Sequence, residues 1–126
     1  MRLCLPYETG FAKTALGQAL RDVGIAYRHM RALGCPKPIR DRYRAEGDWS
    51  AYTVAFLEHL AAQEAALADL ADEARSRRTA LLCFEADFLR CHRTFVARAV
   101  ATRLGASIRH ITPDGEVPEG GLVQTR

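Results

Sequence analysis

The sequence contains no apolar run near the ~20 residues that a membrane-spanning helix needs, so no such helix is expected. The opening Met1-Arg-Leu-Cys-Leu-Pro6 is too short an apolar stretch for a secretion signal. There is no disulfide framework either. The cysteines are Cys4, Cys35, Cys83 and Cys91, and without a signal they read as reduced thiols of a cytoplasmic protein. None stand at the short spacing of a catalytic dithiol. Internal repeats and low-complexity blocks are absent. A dense basic stripe is also missing: the net charge is only +3, which is compatible with a polyanionic partner without demanding one.

What is present fits one ordinary globular domain. The chain has 126 residues, 48% of them hydrophobic, enough for a single core. Arg2–Leu5 reads as the end of a strand. Phe11–Val23 reads as a helix, with Ala12, Ala15, Leu16, Ala19, Leu20 and Val23 on one stripe. Ile25–Met30 follows as a short strand. Pro36 and Pro38 exclude a regular helix around them. Arg40–Arg44 is one helical turn, ended by Gly47. Asp48 can cap the next helix. The apolar faces Trp49–Leu60 and Leu67–Ala74 are expected as two helices with a break near 61–64. Thr79–Phe84 is a near-continuous apolar run, as in a strand buried on both faces. A helix then runs to Leu104, closed by Gly105, and Ser107–Ile111 is a last strand. Residues 1–111 are thus read as one α/β domain, a layered fold with a small, mostly parallel sheet flanked by helices. Residues 112–126 are read as a flexible tail.

The chain is organised around Thr79–Arg93, a strand, a polar loop and the start of a helix. In open α/β sheets, sites lie where strands end and helices begin. Cys91 falls near the helix N-terminus, where the dipole and the charges of Arg90, His92 and Arg93 favour a thiolate. It is the candidate nucleophile, or else an inert helix-start residue. Arg93 is the candidate anion clamp. His92 is a candidate general base, or else a residue that holds the loop. Glu85 is the candidate general acid–base, since it emerges from the strand. Asp87 is expected to cap a turn. Cys83 reads as core. A Cys83–Cys91 redox pair requires the loop to fold back. A zinc site from Cys83, Cys91 and His92 lacks a second ligand pair, so no metal and no cofactor is expected. Lys37, Arg40, Arg42 and Arg44, beside Tyr43 and Trp49, form a basic cluster suited to a nucleotide or single-stranded nucleic acid. The bland reading of that cluster is a solvated loop.

Leu81-Leu-Cys-Phe-Glu-Ala-Asp87, then three residues, then Cys91-His-Arg93, resembles the signature of the bacterial and archaeal family called domain of unknown function 488. Gly10-Phe-Ala-Lys13, Gly24-Ile-Ala-Tyr27 with His29, and Leu33-Gly34 with Pro36–Asp41 resemble other pieces of it in the same order. The resemblance implies an α/β sandwich with the Cys-His-Arg residues at the strand–helix junction, and no established activity. It also implies that Arg2, at a strand end, belongs to the anion site. Family members usually begin with a further strand and helix and an Asp-Val-Arg-like element, of which only Arg2 matches. The chain is therefore expected to be N-terminally short, with a sheet edge open to pairing in a homo-oligomer. Where the family often has proline, this chain has Phe88.

Three functions follow as expectations. The favoured one is an enzyme whose Cys91, Glu85 and His92 act on an anionic small molecule or nucleic acid held by Arg93, Arg2, Lys37 and Arg40. The second is a binding module that merely holds the anion. The third is a structural or regulatory subunit.

Overall fold

The computed structural model describes residues 2–5, 13–83, 85 and 87–119, with backbone alone at 2–5 and 13–14. Gly10, Phe11, Phe84 and residues 120–126 lie outside it. The elements are β1 (Arg2–Leu5), α1 (Lys13–Asp22), β2 (Ala26–His29), α2 (Lys37–Glu46), α3 (Trp49–Ala61), α4 (Glu64–Ser76), β3 (Thr79–Leu81), α5 (His92–Leu104), β4 (Arg109–Thr112) and β5 (Gly115–Pro118). Single 3-10 turns stand at Arg31–Leu33 and Phe88–Arg90.

The fold is α/β. β1 lies in the middle of a three-stranded sheet, parallel to β2 on one side and to β3 on the other. The expectation of one small, mostly parallel sheet needs correcting at its last strand. Ser107–Ile111 does not join that sheet. It supplies β4, which pairs antiparallel with β5 in a separate two-stranded hairpin. Residues 112–118, expected as flexible tail, are the rest of that hairpin. The turn Pro113-Asp114 folds the chain back, and the Thr112 hydroxyl donates to the Gly115 carbonyl at 2.8 Å. β3 also differs from its reading: Thr79, Ala80 and Leu81 are each half-buried, because β3 is an outer strand of the described sheet.

The prolines open α2 instead of forbidding it. Pro36 stands at its N-cap and Pro38 in its first turn, where a missing N–H leaves no helical bond unmade. Gly47 closes α2 at φ 69°, a conformation that costs glycine nothing. The break between α3 and α4 falls at residues 62–63, as the apolar pattern predicts. The core is helical. Phe56 of α3, Leu70 of α4 and Val96 of α5 meet Leu33 of the first 3-10 turn, each at 2% exposure or less. α4 and α5 pack on each other, so the start of α5 is anchored against a rigid layer.

Candidate functional site

The site is built by the connection from β3 to α5. Cys83 comes two residues after β3, Glu85 and Asp87 beyond it are exposed, and Phe88–Arg90 forms the 3-10 turn before α5. Local polar bonds fix that loop. Glu85 Oε1 accepts from the Asp87 N–H at 3.0 Å, and Asp87 Oδ1 accepts from the Leu89 N–H at 2.9 Å, the capping role expected of Asp87. The buried Thr94 hydroxyl donates to the Phe88 carbonyl at 2.6 Å and ties the turn to α5. The outcome is that the loop folds back. The Cys83 sulfur, the Cys91 sulfur and a ring nitrogen of His92 all lie within 4.8 Å of one another.

The two thiols are not equivalent. Cys91 caps α5: its Sγ accepts from the Arg93 N–H at 3.4 Å and from Arg93 Nη1 at 3.3 Å. It is only 2% exposed. Its thiol is hydrogen-bonded to Cys83, and that bond together with burial pushes its pKa well up. Cys83 is half-buried and gains what Cys91 gives. The Cys91 hydrogen bond, the Glu85 N–H at 3.4 Å and the charge of Arg93 bring its pKa down to about 7. The Cys91 thiol, the Glu85 N–H and Arg93 therefore favour a thiolate on Cys83, the cysteine read from the sequence as core. Spacing along the chain hid this, because the eight positions between the sulfurs are closed only by the loop's own turn.

The remaining candidates separate. Arg93 Nη1 also donates to the Glu85 carbonyl, so one guanidinium bridges the loop and the cap. Glu85 itself is exposed at the mouth of the site. His92 is 3% exposed, with its ring set edge-on to Phe56 at 5.3 Å. Burial first, then the charges of Arg93, Arg40 and His59, lower its pKa to about 4. Arg40 reaches the inner side of the site from α2, where its charge acts on both His92 and Cys35. Lys37 does not join it: its amine pairs with Asp41 at 2.7 Å on the exposed face of α2. Arg2 is aligned with Thr79, at the far end of the sheet from Cys83, roughly 13 Å of strand away.

The basic cluster is answered by carboxylates on its own helix, Arg42 by Glu46 and Arg44 by Asp41. Its aromatics are engaged in packing, with Tyr43 and Trp49 at 5.4 Å and Trp49 stacked on Tyr52 at 4.7 Å. Two residues that the sequence reading did not connect with the site, Cys35 of a loop and Tyr52 of an apolar helix face, belong to its surroundings. The buried Cys35 is hydrogen-bonded to the Tyr52 hydroxyl, and burial pushes the pKa of each up. The signal for Cys35 was faint: a thiol in a proline-bounded turn, distant in sequence.

Cys83, Cys91 and His92 are the residues that could hold a metal, and among the described residues they are the only such cluster. Two sulfurs and an imidazole suit zinc. The Arg93 guanidinium on the Cys91 sulfur opposes a divalent cation there. A cleft of about 1100 Å³ opens beside the thiols, between β3, α5 and β4. Cys83, Glu85 and Arg93 border it, and Cys91 and His92 do not. Leu81, Val100 and Ile108 line its apolar part, with Arg77, Arg78 and Arg109 also on its walls.

The family described as Domain of unknown function DUF488 matches residues 4–100. This chain belongs to DUF488. No curated protein and no solved structure matches it. The matched span of this DUF488 chain includes both site thiols, His92 and Arg93, and it ends within α5, before the β4–β5 hairpin.

Proposed function

We propose that this DUF488 protein is a cytoplasmic, thiol-dependent enzyme acting on an anionic substrate at the β3–α5 junction. The observation that carries the reading is the pairing of a cleft-facing Cys83 with three groups that stabilise its thiolate: the Cys91 thiol, the Glu85 N–H and Arg93. A thiolate near neutral pH is the form that attacks. In this reading Arg93 and the first turn of α5 hold the substrate's negative charge. Cys83 displaces a leaving group from the substrate's electrophilic atom. The Glu85 carboxyl protonates that group and then takes a proton from the water that releases the adduct. Cys91 acts through Cys83 as a hydrogen-bond donor, and His92 supports the helix start from within.

Alkylation of each cysteine against pH, read by mass spectrometry on the native protein, tests this. Cys83 should react with a midpoint near 7, and Cys91 should resist. Arg93→Gln should move the Cys83 midpoint up toward the free-thiol value of about 8.5. Cys83→Ser should abolish turnover of any phosphorylated compound that the wild type processes. A Cys83 no more reactive than free cysteine overturns the enzyme. The arginine-lined cleft then supports the second reading, a module that holds an anion without transforming it.

A further inference from the structure

Two thiols with unequal access, close together and sharing one guanidinium, have a second chemistry open to them. We propose that Cys83 and Cys91 form a hydroperoxide-driven redox pair, in which Cys83 attacks the peroxide and Cys91 resolves the product as a reversible intrachain disulfide. The inference rests on their geometry, and it stands whether or not the site also processes an anion.

The division of labour follows from position. Cys83 borders the cleft and can meet a small oxidant, whereas Cys91 is 2% exposed and borders only the inside. A resolving thiol needs no access to solvent, only to the sulfur that it attacks. That sulfur lies within 4.8 Å. Glu85, Asp87, Leu89 and Arg90 between the two cysteines are exposed while Phe88 is buried and held by Thr94, so the last approach of the sulfurs to bonding distance falls to the exposed side of the connection, next to Cys83.

The step balances. The Cys83 thiolate attacks the terminal oxygen of ROOH, the O–O bond breaks, and RO⁻ leaves and takes a proton as ROH. Cys83 becomes a sulfenic acid, oxidised by two electrons. Arg93 borders the same cleft as Cys83 and supplies positive charge toward the oxygen anion as it forms. The Cys91 thiol then attacks the sulfenic sulfur, an S–S bond forms, and the hydroxyl leaves as water with the thiol proton. An external dithiol restores both thiols by exchange and becomes a disulfide itself.

The test uses the reduced full chain and hydrogen peroxide. The wild type should lose two hydrogens in mass. Trypsin should then yield the Thr79–Arg90 peptide joined to Cys91-His-Arg93, a link that dithiothreitol removes. Cys91→Ser keeps a good helix cap. It should accumulate a Cys83 sulfenic acid that dimedone traps, and then over-oxidise. Cys83→Ser should leave Cys91 reduced at the same dose. Three results would overturn the pair. One is a wild type that goes to sulfinic acid as readily as Cys91→Ser. Another is a link from Cys83 to Cys35. The third is a purified chain that carries stoichiometric zinc and whose thiols ignore peroxide until the zinc is chelated.

Discussion

At the scale of single residues, His92 ties the site to the pH of the surroundings. Its ring is buried against Phe56 with cationic arginines nearby, so the folded protein binds a proton there only near pH 4. An unfolded chain binds one near pH 6.5. Between those values the unfolded state holds more protons, so stability falls as pH falls through that window. From pH 7 to pH 5 the loss from this one group is about 2 kcal/mol. Urea midpoints of wild type and His92→Gln at both pH values would measure it, and the acid-side drop should shrink in the variant by about that amount. An equal drop in both proteins would mean that His92 is not kept neutral by burial. Cys83 has the opposite chemistry and a different window. Its lowered thiol pKa adds stability that is full above the free-thiol value and is lost as pH falls through about 7. The sequence showed where these titrating groups cluster, because strand, loop and helix start follow one another over residues 79–93. It could not show which thiol ionises. That depends on which sulfur donates its proton to the other, a matter of loop closure and not of residue type.

At the scale of elements, local chemistry was legible and non-local placement was not. Asp48 accepts from the Ala51 N–H at 3.1 Å, and Gly105 closes α5 at φ 64°, both as their residue types imply. Asp48→Ala should therefore cost about 1 kcal/mol by leaving an α3 amide unbonded. Gly105→Ala should cost a similar ~1 kcal/mol through the left-handed backbone alone, since open space would receive the new methyl. Thermal melts of the two single variants and the double should show additive shifts, because the caps share no partner. A coupled loss would point to a contact between the ends of α3 and α5. The prolines of α2 were misread for a physical reason: the rule that bars proline from helix interiors does not hold in the first turn. Strand order was illegible because parallel partners are set by packing across the sheet. Thus β3 became an outer strand, and Arg2 lies at the end of the sheet away from Cys83.

At the scale of the whole molecule, the β4–β5 hairpin is locked to the helical layer and, through it, to the site. Arg98 of α5 and His110 of β4 both grip Glu119, the residue just after β5, with His110 Nε2 at 2.9 Å. Arg98 first and His110 second hold the Glu119 carboxyl below its ordinary range. On its other side the His110 ring stacks on Phe88 at 4.0 Å and 8°, and Phe88 belongs to the turn that folds Cys83 back onto Cys91. A continuous chain of contacts therefore runs from Arg98 through Glu119, His110 and Phe88 to the thiol loop. Glu119→Ala removes the carboxylate shared by Arg98 and His110 and should free the hairpin. Hydrogen exchange should quicken across Arg109–Pro118 and also at Phe88–Arg90, while protection in α3 and α4 stays at the wild-type level. Acid should act as the variant does. The lowered carboxyl adds stability that is complete above its free pKa of about 4.3 and is lost as pH falls through the folded value. Faster exchange confined to the hairpin, with the Phe88–Arg90 turn unchanged, would show that the stack carries no stability to the site. In that case the described bonds of Glu85, Asp87, Arg93 and Thr94 would hold the thiol loop without the hairpin.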